Sequence, residues 1–225
     1  MLFADPLKPE HGLPRDTIIS SGTGEFFQHF EDECFFLADG VPGTELADVA
    51  SRLAIENALW AYKLVRQRQS YWLNRDLFVR RIFRSTNIAL WQKHREDGYA
   101  AGLYASLLVC MFRGNNYWIG STGSLASYLF RDGVLTVLAE SDIDATGNVT
   151  KMVGRDRFGL VPAIANGPFK IGDTIFLASR SVVQSLSPDE LKNILAGVGN
   201  TKELLEHVAA QFLSGTAVII KRVKI

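Results

Sequence analysis

Cys34-Phe35-Phe36-Leu37-Ala38-Asp39-Gly40-Val41-Pro42-Gly43-Thr44 begins as an unbroken apolar run and ends in turn residues. Such a run, bounded by Asp-Gly and Pro-Gly, reads as a buried strand. Thr44 then opens a helical pattern, with Ala47, Ala50, Leu53, Ala54, Ala58, Ala61 and Val65 on one stripe. A carboxylate at the end of a buried strand, followed by glycine, suits a metal or phosphate site. The strand fixes the carboxylate, and the glycine lets a backbone carbonyl approach a ligand closely. An isolated Asp-Gly is also ordinary turn chemistry, so the neighbouring residues decide what Asp39 is for.

On the N-terminal side, residues 1–15 carry Pro6, Pro9, Gly12 and Pro14 and read as an irregular lead-in. Thr17 to Ser21 is a short strand, and the stretch through Phe26-Phe27 leads on towards the Cys34 strand. Gln28 to Asp32 is polar and turn-like, which makes a first antiparallel pair. On the C-terminal side, residues 44–68 form a long helix, and Asn74 caps a second that runs to about His94, with Leu77, Ile82, Ile88 and Leu90 among its apolar positions. Their short connection predicts antiparallel packing.

Beyond His94 the period changes from helix to strand. Leu103 to Phe112 is followed by a hairpin turn at Arg113-Gly114-Asn115-Asn116 and a return through Tyr117-Trp118-Ile119-Gly120. Ser127 to Phe130 and Val134 to Leu138 flank the Arg131-Asp132-Gly133 turn. A polar loop, Glu140 to Asn148, precedes a short apolar segment at Val149 to Val153. Gly172-Asp173 turns into the Thr174–Ala178 strand. Ser187-Pro188-Asp189-Glu190 is a helix start, Thr201 caps a last helix, and Thr216 to Ile225 is a terminal strand. Strands, two helices, strands, small helices and a strand make an α+β chain, whose faces are all buried if two stacked sheets carry helices outside.

With 225 residues, the chain suits one domain spanning 1–225. Its formal net charge is zero, from 24 Lys+Arg against 24 Asp+Glu, which gives no global electrostatic case for nucleic acid or an anionic membrane. No apolar run approaches the roughly 20 residues of a membrane helix. The start, Met1 to Pro6, lacks the basic and apolar regions of a signal peptide. Cys34 and Cys110 each sit in an apolar run and read as buried free thiols, which fits a cytoplasmic setting.

Asp39 to Ser51 resembles, without gaps, the D-G-M-G-G-H-x-x-G-E-x-A-S segment of the PP2C (PPM-type) metal-dependent protein serine/threonine phosphatases. Further segments follow in that family's order. Gly102 to Val109 resembles G-M-G-T-T-x-x-x, Gly123 to Gly133 resembles G-D-S-R-A-Y-L-x-R-D-G, and Val149 to Gly154 resembles I-T-R-A-L-G. Phe169 to Ser181 resembles L-x-x-G-D-x-L-L-L-x-S-D-G, and Ser214 to Ile220 stands where the family has D-N-x-T-V-V-V. The resemblance implies a β-sandwich of two antiparallel sheets flanked by pairs of antiparallel helices. It also implies hydrolysis of phosphoserine and phosphothreonine by two Mg²⁺ or Mn²⁺ ions in a cleft between the sheets. Such ions need several carboxylates.

Carried over residue by residue, Asp39 matches the family's metal-bridging Asp and Gly40 the glycine whose carbonyl is a ligand. Glu25 falls near the Asp of the N-E-D motif, and the phosphate-binding Arg upstream of it has no match. The Asp of G-D-S-R is Ser124, the Asp of S-D-G is Arg180, and the Asp of the final D-N is Ser214. A guanidinium neither ligates Mg²⁺ nor deprotonates, and it repels a nearby cation. No acid lies between Thr174 and Leu186 to replace that ligand. Asp39, Gly40 and Glu25 are therefore expected to be a vestigial metal site, with no bound cofactor, and Arg180 is expected to approach Asp39 in place of the missing metal charge. The expected role is that of a pseudophosphatase binding a protein or phosphoprotein partner. The alternative is an active phosphatase with an atypical site, using Mg²⁺ or Mn²⁺ at Asp39 and Gly40. A purely structural domain is the third reading.

Other candidates are thinner. His29, Glu31, Asp32 and Cys34 are close in sequence but fit a turn between strands better than a convergent metal site. Ser106 and Ser181 have no histidine–acid pair in an elbow motif. Gly120-Ser121-Thr122-Gly123-Ser124 has the composition of a phosphate cradle, although a hairpin connection is its commoner use.

Overall fold

The computed structural model describes residues 15–19, 24–29, 34–66 except 42 and 45, 74–98, 102–197, 206–208 and 215–222, with backbone alone at 15–19, 24–29 and 65–66. The elements follow in the order β1 (Arg15–Ile19), β2 (Gly24–His29), β3 (Cys34–Gly40), α1 (Ala47–Arg66), α2 (Arg75–Glu96), β4 (Ala105–Arg113), β5 (Asn116–Thr122), β6 (Ala126–Arg131), β7 (Val134–Ala139), β8 (Ala163–Pro168), β9 (Thr174–Ala178), α3 (Arg180–Ser185), α4 (Pro188–Ala196) and β10 (Thr216–Lys221). The strands form two five-stranded antiparallel sheets. Sheet A has the order β1-β10-β9-β6-β7 and sheet B the order β2-β3-β4-β5-β8.

Strand alternation divides β3 between two environments. Phe35 and Leu37 face the layer between the sheets, where they meet Leu108, Cys110, Ile175, Leu177, Val218 and Ile220. Cys34, Phe36 and Ala38 face α1 and α2, against Ala54, Ala58, Tyr62, Phe78 and Phe83. β3 is buried on both sides, which explains its unbroken apolar run. Tyr62, late in α1, meets Phe78, early in α2, edge to face at 5.7 Å. The two helices therefore run antiparallel on sheet B, as the short connection predicts. On the outer side of sheet A, Val182 of α3 and Leu191 and Leu195 of α4 pack on Phe176, Ala178 and Ile219. Cys34 and Cys110 are both buried free thiols.

Several local expectations are met. Asn74 accepts from the Leu77 amide as the α2 cap, and Ser187 and Glu190 form a reciprocal capping box on α4, with Pro188 in its first turn. Asp132 (φ 50°) and Gly133 (φ 76°) make the left-handed pair that joins β6 to β7.

Others are corrected. β1 does not join the β3 strand. It pairs with β10 in the other sheet, and the first hairpin is β2–β3, whose ladder includes Gln28 and His29. Helix α1 begins at Ala47, because Thr44 closes a turn onto the Val41 carbonyl (2.8 Å) instead of capping. Leu77 is exposed and Ile88 only half-buried, so the α2 core is carried by Phe78, Val79, Ile82, Phe83 and Leu90. The segment Val149 to Val153 forms two isolated bridges and no strand. The cap position Thr201 lies outside the described residues.

Candidate functional site

The layer between the sheets changes character at one end. Asp39 follows Phe35 and Leu37 in strand parity and is half-buried, and its register partner on β4 is Ser106. The Ser106 and Ser124 hydroxyls are 2.9 Å apart, and the Ser124 amide also donates to Ser106 Oγ at 2.9 Å. On sheet A, the Ser179 amide donates to the Thr216 carbonyl (2.8 Å) and the Thr216 amide returns to Ser179 Oγ (3.0 Å). Ser106, Ser124, Ser179 and Thr216 are all buried. The apolar layer thus gives way to hydroxyls, and Asp39 shares their strand face on β3. Gly40 has a packing reason to be glycine: a Cβ on it would lie 2.0 Å from the Ala47 carbonyl oxygen at the start of α1. On β2, Gly24 stands opposite Asp39 and Glu25 opposite Ala38. The register therefore puts Glu25 one place away from the position facing Asp39. Ser214 lies outside the described residues.

Arg180 corrects an expectation. Its side chain does not turn to Asp39. Its Nη1 donates to the Gly147 carbonyl, and Nε and Nη2 donate to the Gln184 amide oxygen (3.0 and 3.2 Å) once that amide faces the guanidinium. The physical reason is local. Arg180 opens α3, so Gln184 lies four residues on along the same helix face, and the 144–148 loop offers a bare carbonyl opposite. Asp144 shapes that loop by accepting from the Thr146 amide (2.9 Å), the Thr146 hydroxyl (2.6 Å) and the Asn148 amide (2.9 Å). These bonds hold the Asp144 carboxyl below the usual carboxylate range, the Thr146 hydroxyl contributing most and the Asn148 amide next.

Arg180, Arg155, Asn148, Tyr104, Met152 and Val41 line a depression of about 350 Å³, two residues along the chain from Asp39 at its Val41 wall. Arg155 stands on a pinned segment. Ala105 and Val153 exchange backbone hydrogen bonds (3.2 and 2.9 Å), Gly154 N–H donates to Asn87 Oδ1 (2.9 Å), and Asn87 Nδ2 donates to the Asp156 carbonyl (2.7 Å).

Solved structures share this architecture along nearly their whole length. The Mycobacterium tuberculosis serine/threonine phosphatase PstP/Ppp superposes with a TM-score of 0.76 at 16% identity, covering 95% of this chain and 98% of that one. The fold is that of the PP2C-type serine/threonine phosphatases. A catalytic domain of PstP in complex with two manganese ions gives a TM-score of 0.74 at 19% identity over 94% and 96% of the two chains. Pseudomonas aeruginosa PppA, described as a regulatory component of the T6SS, gives 0.73 at 16% identity over 92% and 95%. No protein-family model matches the sequence, and no curated protein sequence matches it.

Among the described residues, which leave out the Glu25 side chain and Ser214, no three His, Cys, Asp or Glu side chains come together. Of the hydroxyls at the polar end of the layer, those of Ser106, Ser124 and Ser179 are hydrogen-bonded, and the buried Thr216 hydroxyl has no hydrogen-bond partner among the described residues. Ser124, at a family acid position, is fully engaged with Ser106. The Gly120–Ser124 run is not a cradle: it is the end of β5 and the turn into β6. Arg155, Tyr104 and Asn148 went unread in the sequence, because segments remote in the chain bring them together and none carries a local motif.

Proposed function

We propose that this PP2C-fold chain, a single domain over 1–225, is a pseudophosphatase that acts by binding a protein or phosphoprotein partner in a cytoplasmic setting. The carrying observation is the residue content at the family's acid positions: a hydroxyl at Ser124, bonded to Ser106, and a guanidinium at Arg180, where divalent-ion hydrolysis calls for carboxylates. The residues of the shared motifs that build the fold support the same reading. Gly40 admits α1, and Gly123 (φ 90°) makes room for Ser106. Arg131 and Asp173, from the R-D-G and G-D segments, join in a bidentate ion pair. Fold-building positions match the motifs, and of the acid positions Asp39 is kept while Ser124, Arg180 and Ser214 stand at three of the others. PppA, the structural neighbour described as a regulatory component, sets a precedent for a partner-directed role. No described helix is long and apolar enough to cross a membrane, and the balanced charge gives no case for nucleic acid.

The competing reading, an atypical active phosphatase using Mg²⁺ or Mn²⁺, draws on the half-buried Asp39 followed by Gly40 at the end of β3. Calorimetric titration with Mn²⁺ and turnover of p-nitrophenyl phosphate separate the two. The pseudophosphatase reading expects no saturable Mn²⁺ binding and turnover at the level of buffer. Mn²⁺-dependent turnover that disappears in Asp39→Ala would establish the enzyme instead.

A further inference from the structure

We propose that the depression beside Asp39 binds a phosphate monoester without any metal ion, gripped by Arg155 and Arg180. This rests on the non-catalytic reading above and supplies the chemistry of its partner. The observations are the donor content of the wall and its rigidity. The wall carries two guanidinium groups, the Tyr104 phenol and the Asn148 amide, and no carboxylate lines it among the described residues. Its volume of about 350 Å³ stands at the small end of ligand pockets, which suits an anionic headgroup and the side chain that bears it.

Arg180 is oriented but not exhausted. Gly147 and Gln184 take one N–H from each of its nitrogens, so each terminal nitrogen keeps one more to donate. Arg155 gives Nη1 to the Thr150 carbonyl (3.2 Å), and its Nε is only loosely paired with Asp156 at 3.9 Å, leaving the Nη2 edge for a ligand. The Arg180 side chain is held before any ligand arrives by α3 and the 144–148 loop, and Arg155 stands on a backbone that Asn87 clamps. Gly154 has φ 91°, and a Cβ on it would stand 2.1 Å from the Leu103 carbonyl oxygen, so that segment has little freedom to move. Ordering side chains is a large part of the cost of binding, and for Arg180 it is already met. Two neighbouring acids are committed elsewhere. Asp142 holds Lys151 at 2.8 Å and accepts from the Gly123 amide at 3.1 Å, and Asp144 is spent on its own loop. Paired guanidinium groups bind phosphate oxygens by short charge-assisted hydrogen bonds. The same two charges repel a divalent cation.

The test titrates phenyl phosphate, inorganic phosphate and a phosphoserine peptide into the full chain in EDTA, followed by amide NMR. Saturable shifts at Asn148 and Arg155 are expected, weakened at least roughly tenfold in Arg180→Gln and in Arg155→Gln, as loss of a charge-assisted contact implies. Arg155 is 53% exposed, so its variant should melt like the parent and keeps the test independent of folding. A peptide that binds more tightly than inorganic phosphate identifies a phosphoprotein ligand. Equal binding identifies the free anion. Absence of saturation in EDTA, a response only after Mn²⁺ is added, or either variant binding as well as the parent overturns the proposal. Turnover measured on the same samples keeps the two readings apart. Mn²⁺-dependent hydrolysis with binding intact in EDTA removes only the pseudophosphatase reading, and no binding with no hydrolysis removes only the arginine pocket.

Discussion

Asp173 is buried, and its carboxylate receives Arg131 Nε at 2.8 Å and Nη2 at 2.6 Å, together with the Lys170 amide. Arg131 is partly exposed and spends a further contact on the Pro168 carbonyl at 2.7 Å. The Asp173 hydrogen bond is the main reason the Arg131 pKa is raised. This pair ties β6 to the turn before β9 and to the end of β8. Asp173→Ala would leave a guanidinium without its anion and should lower stability by about 3 kcal/mol, as removal of one partner of a buried pair does. Asp173→Asn should cost less, since it keeps a hydrogen-bond acceptor. Urea denaturation of the two variants checks this, and an Ala variant as stable as the parent would show the pair to be idle. Asp39 and Gly40 were legible at this scale because a buried strand ending in Asp-Gly carries its own context. The orientation of Arg180 was not legible: its acceptors are a carbonyl at Gly147 and an amide at Gln184, and neither is marked by residue type.

The 144–148 loop is sensitive to pH. Asp144 has a depressed pKa in the folded chain, so its contribution is full above the ordinary carboxylate value and is lost as the pH falls through the folded one. Protonation removes the acceptor for the Thr146 and Asn148 amides, and the Gly147 carbonyl that receives Arg180 then loses its support. Hydrogen exchange at Asn148 should accelerate on acidification ahead of amides in β4 and β5, and Asp144→Asn should remove that pH dependence. Exchange at Asn148 that never runs ahead of β4 and β5 down to the onset of acid unfolding, after correction for intrinsic rates, would rule it out. Among elements, α1, α2, β3 to β7, β9 and α4 announce themselves through apolar periods and caps. β8 does not, because Ala-Ile-Ala-Asn-Gly-Pro has little strand propensity. It is an edge strand held by β5 alone, and Pro168 at its end is tolerated for that reason. α3 is a short helix that begins inside the Ser179-Arg180-Ser181 stretch, too brief to show a period.

At the scale of the molecule, β10 is an interior strand. It lies between β1 and β9, and Ala217, Val218, Ile219 and Ile220 are all buried. Deleting residues 216–221 would strip hydrogen-bond partners from two strands and open both faces of sheet A. The expected outcome is loss of the cooperative thermal transition seen in the intact chain, read by near-ultraviolet circular dichroism. A deletion variant that still melts sharply would show sheet A to be self-sufficient without it. The sequence identifies this terminal strand but not its neighbours, because strand order is set by long-range pairing that no local pattern encodes. The placement also bears on synthesis. Every strand of sheet B has been made once Pro168 has been added, whereas sheet A lacks an interior member until Lys221 has left the ribosome. At roughly 5–20 residues per second, the nascent chain holds one finished sheet and one with a gap for several seconds. From the addition of Ala178 until β10 follows, β1 and β9 present unpaired edges, and β10 is the strand that closes them.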